Sequence, residues 1–87
     1  MFIIAADDAM SPRILIGDLL EIDPTAPISD GNIVAITVEG STTLRRIYKS
    51  SDGYELIPNN SKHIIIHCKS LYGVLIGRVV QGYFTKL

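Results

Sequence analysis

The sequence predicts a small all-β domain, either a β-barrel or a folded sheet, and three observations support this. Turn-forming residues recur at short intervals, at Asp30-Gly31, Glu39-Gly40-Ser41, Asp52-Gly53, Pro58-Asn59-Asn60 and Gly73. The short runs between these turns are rich in Val, Ile, Thr and Tyr, as strands are. The chain has 87 residues, 47% of them apolar, which is enough for a single domain over residues 1–87 with one core.

The elements follow in order from these runs. Residues 1–6 are apolar and predict a first strand, because the run is too short for a secretory signal and no basic residue precedes it. One short helical turn is predicted over residues 10–16, where Pro12 suits a first-turn position that needs no backbone donor. Six further strands are predicted over residues 19–23, 33–38, 42–49, 54–58, 64–67 and 74–84.

The two Asp-Gly pairs, at positions 30 and 52, predict tight hairpins. Both residue types tolerate the positive φ that a turn matched to the strand twist requires. We therefore expect successive strands to be antiparallel neighbours.

Charge and cysteine content limit the classes of function. The formal net charge of -1 provides no basic surface for phosphates, so any DNA contact is expected from a region outside this segment. The single cysteine, Cys68, excludes an internal disulfide and a CxxC site and fits a reducing compartment, the cytoplasm. No apolar run reaches the length of a membrane helix, and no membrane association is predicted. The chain opens directly into a strand, which is compatible with a fragment of a longer protein.

Six short motifs follow one another along nearly the whole chain. They are Asp8-Ala9-Met10-Ser11-Pro12, Gly17-Asp18-Leu19-Leu20, Asp30-Gly31-Asn32-Ile33-Val34, Leu44-Arg45-Arg46-Ile47, Leu56-Ile57-Pro58-Asn59-Asn60 and Ile76-Gly77-Arg78-Val79-Val80. Each is weak alone, but in this order and spacing they resemble the peptidase domain of LexA, UmuD and the lambda-type repressors. The resemblance implies highly twisted antiparallel sheets folded as a LexA-like, signal-peptidase-like β-barrel.

In that family the first motif reads Gly-Asp-Ser-Met-x-Pro, and its serine attacks a peptide bond of the same chain after a strand-borne lysine removes its proton. This chemistry needs a hydroxyl nucleophile and a neutral amine whose pKa burial has lowered. Here Ala9, between Asp8 and Met10, stands at the serine position, and Arg45 stands at the lysine position. Ala9 has no nucleophilic atom and Arg45 keeps its proton. The resemblance thus implies a pseudo-peptidase that is not an enzyme.

Two other interpretations of the motif remain open. A serine-to-alanine variant of an active peptidase explains Ala9 but leaves Arg45 unexplained. Ser11 is the nearest hydroxyl, and we interpret it as a turn serine or a local cap rather than a displaced nucleophile.

Alternation along the predicted strand places Arg45 on one face with Thr43 and Ile47. Arg45 is predicted either to form an ion pair with Asp8 or Asp7 or to be a solvated strand arginine.

The two histidines, His63 and His67, are four residues apart, a spacing that suits zinc on a helix. The intervening three isoleucines predict a strand instead, with the rings roughly 13 Å apart, so we interpret both as edge or surface histidines. Cys68 is interpreted as a small buried hydrophobe. Gly73 and Gly77 are interpreted as strand bends or points of close backbone approach. No metal or cofactor is predicted.

In the repressors that this chain resembles, the domain joins subunits, so the resemblance implies self-association as the retained function. Residues 72–87 are apolar with few charges, and Val79, Val80, Tyr83 and Phe84 are the candidate self-association residues. A core strand is the alternative interpretation of this run.

Three functional hypotheses follow. The first is the oligomerisation domain of a phage or prophage repressor that is not self-cleaved, with a second copy or an antirepressor as partner and DNA bound only through an upstream domain. The second is a self-cleaving peptidase in an inactive variant. The third is a stand-alone protein-interaction module.

Overall fold

The computed structural model describes residues 1–83 and consists of seven β-strands. They are β1 Phe2–Ile4, β2 Leu19–Asp23, β3 Ile33–Val38, β4 Ser41–Ser50, β5 Gly53–Ile57, β6 Ile66–Cys68 and β7 Leu75–Tyr83. The all-β prediction is confirmed. The predicted helical turn is a single backbone turn, closed where the Ile14 N–H donates to the Met10 carbonyl at 3.0 Å. Within the described residues, no helix has the length and apolar character needed to cross a membrane.

The strands form one antiparallel sheet in the order β1-β2-β7-β3-β4-β5-β6. The expectation of several sheets closed into a barrel was wrong in this respect. Closure requires the two edge strands to pair with each other, but among residues 1–83 β1 pairs only with β2 and β6 only with β5. Each of these edge strands is three residues long.

The order of the strands differs from the predicted run of neighbours. The Asp52-Gly53 hairpin is confirmed, since it joins β4 to β5. The Asp30-Gly31 hairpin was wrong, because β7 lies between β2 and β3. Gly31, at φ 88°, instead leads into β3 and donates its N–H to the Ile47 carbonyl. A tight hairpin turn is formed instead by Glu39-Gly40 between β3 and β4, where the φ values are 51° and 80°.

Several strand bounds differ from the prediction by one or two residues, and those of β6 and β7 concern candidate site residues. β6 begins at Ile66 rather than at residue 64, so His63 lies in the irregular segment before the strand. β7 begins at Leu75, one residue later than predicted, and its predicted end at Phe84 lies outside the described residues.

Both faces of the sheet are covered by apolar side chains. Neighbouring residues of β3 show this, since Ala35 packs into one cluster and Val34 into the other. The first cluster consists of Ala5, Met10, Ile14, Leu20, Ile22, Ala35 and Leu44. The second consists of Val34, Ile36, Ile47 and Leu56. The sheet is therefore buried in its middle, and the turn that carries Ala9 and Met10 is held against it.

Candidate functional site

The turn that carries the first motif is fixed by its own side chains and by the core. Asp7 accepts a hydrogen bond through Oδ1 from the Ala9 N–H at 3.0 Å. Ala9 is fully buried, and Met10 belongs to the first core cluster. Ser11 donates its N–H to the Asp8 carbonyl at 3.1 Å, as expected of a turn serine. The backbone at position 9 is thus held by the Asp7 carboxylate, and its methyl group is shielded from solvent.

Arg45 lies on β4 and is 4% exposed, so the solvated alternative was wrong. Its Nη1 donates to Thr43 Oγ1 and to the Leu44 carbonyl, each at 2.8 Å, and its Nε donates to the Ile64 carbonyl at 3.2 Å. Burial lowers the pKa of the guanidinium below its ordinary value, and Asp7 partly offsets this effect. Arginine nevertheless keeps its proton in proteins, so Arg45 cannot act as a base.

The predicted ion pair of Arg45 with Asp7 or Asp8 was also wrong in its geometry. Thr43 lies between the two charges, because its hydroxyl donates to Asp7 Oδ2 at 2.7 Å while its oxygen accepts from Arg45. Alternation along β4 places Thr43 and Arg45 on one face, as predicted, so the pair can act together. The contact between the carboxylate and the guanidinium is therefore relayed through a neutral hydroxyl.

Asp8 pairs with His63, which sequence reasoning did not place at this site. The His63 Nε2 and the Asp8 Oδ1 are 2.5 Å apart. The hydrogen bond to His63 is the largest cause that holds the pKa of the Asp8 carboxyl below its ordinary value of 3.8. No sequence signal indicated this contact, because 55 residues separate the two side chains. His67 lies apart from the site, on the surface with Glu55 and Asp52.

The Asn59-Asn60 pair of the fifth motif holds the following segment against the Ala9 turn. The Asn60 N–H donates to the Ala9 carbonyl at 3.0 Å, and its side-chain amide donates to the Asp8 carbonyl at 3.2 Å. The Asn59 amide makes a longer contact of 3.5 Å with the Met10 carbonyl. The structure therefore brings together three distant parts of the chain: the Ala9 turn, β4 and the segment after β5.

The donor set at this site is poor in nucleophiles and in metal ligands. Thr43 supplies a hydroxyl, but both its donor and its acceptor roles are used by Asp7 and Arg45. Among residues 1–83 no three His, Cys, Asp or Glu side chains lie close enough to hold a metal ion. The polar side chains of this site form hydrogen bonds mainly with backbone groups of the same chain.

Comparison with known proteins identifies the family of the chain. The Peptidase S24-like family profile matches residues 1–80. The chain belongs to the Peptidase S24-like family.

Several relatives of this S24-like chain are named LexA repressor. The chain is 30% identical over 84 residues to LexA repressor 1 of Xanthomonas campestris pv. campestris, and the match covers 91% of the chain and 42% of the relative. The LexA repressor of Geobacter sp. (strain M21) is 33% identical over 82 residues, covering 92% and 41% respectively. The LexA repressor of Thermotoga sp. (strain RQ2) is 31% identical over 84 residues, covering 97% and 42%. The chain thus spans about two-fifths of the length of these relatives.

Three candidate self-association residues of the S24-like chain, Val79, Val80 and Tyr83, lie on β7, with β3 between β7 and the strand that carries Arg45. Val79 packs against the first core cluster, in line with the alternative interpretation for that residue. Val80 and Tyr83 are 39% and 46% exposed, and the Tyr83 ring lies 6.3 Å from that of Phe2. Phe84 lies outside the described residues.

Proposed function

We propose that this chain is the self-association domain of a transcriptional repressor of phage or prophage type, and that it does not cleave itself. The membership of the S24-like family and the LexA repressors among its relatives support the repressor assignment. The observation that carries the non-cleaving part is the side-chain chemistry of Ala9 and Arg45.

Serine labelling with a fluorophosphonate, followed by intact mass measurement, tests the non-cleaving part. The chain as it stands is expected to remain unlabelled, because Ala9 offers no oxygen and Arg45 cannot accept a proton. Labelling that disappears in Ser11→Ala would make Ser11 the nucleophile and overturn the proposal.

Two further variants separate natural inactivity from a serine-to-alanine variant of an active peptidase. If the chain is inactive at both positions, Ala9→Ser alone remains unlabelled and labelling requires Ala9→Ser with Arg45→Lys. Rapid labelling of Ala9→Ser alone would favour the variant-peptidase alternative, because the hydroxyl would then be activated without a lysine.

The self-association part rests on an unpaired strand edge. β7 pairs with β2 as far as Tyr83, but its pairing with β3 ends at Arg78. On the β3 side, residues 79–83 therefore have no strand partner among the described residues. An open cavity of about 440 Å³ adjoins this edge, lined by residues 79–82 of β7 and 31–33 before and at the start of β3. An exposed strand edge is a template for pairing with another strand, here one from a second copy.

Sedimentation equilibrium from low to high micromolar concentration tests this proposal. We expect a reversible dimer or larger species. Tyr83→Lys should weaken it, because a charge would stand beside the unpaired edge, whereas Tyr72→Lys, at a fully exposed tyrosine in a turn outside β7, should not. A strict monomer at the highest concentration would contradict self-association and favour a module that binds another protein.

The remaining parts of the proposal concern regions outside this chain. Because the chain spans about two-fifths of its LexA relatives, we place DNA binding in an upstream domain. The net charge of -1 supports this division of roles. A repressor that does not cleave itself needs another route to induction, so we propose an antirepressor protein as the second partner. The cytoplasm is the proposed compartment.

A further inference from the structure

Arg45 connects two parts of the chain that have no strand pairing with each other. Its Nη1 is held by Thr43 and the Leu44 carbonyl on its own strand, while its Nε reaches the Ile64 carbonyl in the segment before β6. Among the described residues no carboxylate lies within ion-pair distance of it. A buried guanidinium is costly unless its donors are satisfied. Here neutral oxygens accept three hydrogen bonds from Nε and Nη1, and one of these oxygens belongs to a segment 19 residues away.

The geometry of this contact needs a guanidinium. Nε and Nη1 are fixed in one plane and donate in different directions, so one side chain can hold β4 and the Ile64 carbonyl at the same time. The ammonium of a lysine is a single point and cannot reproduce this arrangement. Arg45 therefore has a structural role of its own, because it links β4 to the Ile64 carbonyl.

The segment that Arg45 holds, residues 59–65, is called the strap here. The strap also makes polar contacts with the Ala9 turn, from the Asn60 N–H to the Ala9 carbonyl and between His63 and Asp8. Its two consecutive apolar side chains do not anchor it, since Ile64 and Ile65 are 72% and 59% exposed. The strap is thus held by hydrogen bonds rather than by apolar burial, and few such bonds need to break for it to open.

We propose that Arg45 is a clasp that holds the strap across the Ala9 turn and so closes the degenerate site. The relay from Asp7 through Thr43 positions the guanidinium, and the Ile64 carbonyl is its point of attachment on the strap. The closed strap keeps position 9 shielded, in agreement with an Ala9 exposure of 0%. This role is independent of self-association, because β3 separates β4 from the free edge of β7.

Hydrogen–deuterium exchange of the whole chain tests the clasp. The reporters are the amides of Asn60, bonded to the Ala9 carbonyl, and of His63, bonded to the Asn60 carbonyl. In Arg45→Lys we expect both to exchange at least about tenfold faster, because a charge-assisted hydrogen bond to the strap is lost. Trypsin should also cut faster after the exposed Lys62. The matched control is Arg78→Lys, which removes a guanidinium bonded to the Pro27 carbonyl and should leave the strap protected.

Two results would overturn the clasp. Exchange at Asn60 and His63 that is unchanged in Arg45→Lys would show that the strap does not depend on Arg45. An equal acceleration at the core amides of Val34 and Ile36 would show that Arg45 supports the fold in general. If Arg45→Lys does not fold, Thr43→Val keeps the arginine but removes its anchor, and unchanged strap exchange there would have the same meaning. Neither result affects the sedimentation experiment, so the clasp proposal and the self-association proposal can be contradicted independently.

Discussion

The contact between Asp8 and His63 makes the stability of the site depend on pH. The pKa of Asp8 is lowered in the folded chain, with the His63 hydrogen bond as the largest cause. A carboxyl with a lowered folded pKa contributes stability above its unfolded value, near 3.8, and loses it as the pH falls through the folded value. We expect Asp8→Asn to be less stable than the wild type near neutral pH, with the difference vanishing in acid. Urea unfolding between about pH 6 and pH 2.5 measures this difference.

His63→Gln provides the control for this prediction. In that background the change Asp8→Asn should alter the acid dependence much less, because the partner that lowers the Asp8 pKa is gone. An identical acid dependence in all four chains would contradict a role for the pair in stability.

Cys68 is a further residue whose chemistry the structure alters. Burial first, and the Glu55 carboxylate second, raise the pKa of its thiol. Because the thiolate is the reactive form, alkylation by iodoacetamide at neutral pH should be slower in the folded chain than in urea. Glu55→Gln should speed it, since a neutral neighbour no longer disfavours the thiolate. Equal rates in the folded chain and in Glu55→Gln, followed by mass spectrometry, would exclude this influence of Glu55.

At the scale of strands, β2 leaves no room for a side chain at Gly77 of β7. A Cβ at this position would lie 2.7 Å from the Asp23 carbonyl oxygen and 2.8 Å from the Ile22 Cγ2. Backbone and buried side chain both have to move, so we expect Gly77→Ala to lower the free energy of unfolding by about 1–3 kcal/mol or more. Chemical denaturation measures this loss.

The control for that prediction is Gly40→Ala in the β3–β4 turn. Gly40 has φ 80° and no atom within 4 Å of a built Cβ, so it reports the backbone cost alone, about 1 kcal/mol. A loss at Gly77 no larger than that at Gly40 would contradict the close approach of β2 and β7.

At the scale of the whole molecule, the proposed self-association should make the stability of the chain depend on its concentration. A partner that binds only the folded state stabilises it by about 2.7 kcal/mol when its free concentration exceeds Kd about a hundredfold. The Tm of the wild type should therefore rise from low to high micromolar concentration, whereas that of Tyr83→Lys should stay nearly constant. A Tm of the wild type that is independent of concentration would contradict association through the folded domain.

The sequence alone determined the local features of this protein. Short β-rich runs between turn residues identified all seven strands to within about two residues at most ends, because strand propensity and alternation depend on adjacent residues. The ordered motifs also located Ala9 and Arg45, and alternation placed Arg45 on the face shared with Thr43. The assignment to the S24-like family followed from the same motifs.

Only the tertiary structure decided which distant segments meet. It placed β7 between β2 and β3, left the β3 side of residues 79–83 without a strand partner among the described residues, and brought His63 to Asp8 and Arg45 to the strap. The Asp30-Gly31 pair has the composition of a hairpin but does not form one, because the packing of β7 took the place that a local hairpin would have filled. Such contacts join residues far apart in the chain, so they are set by the burial of both sheet faces together and leave no periodic or compositional signal in the sequence.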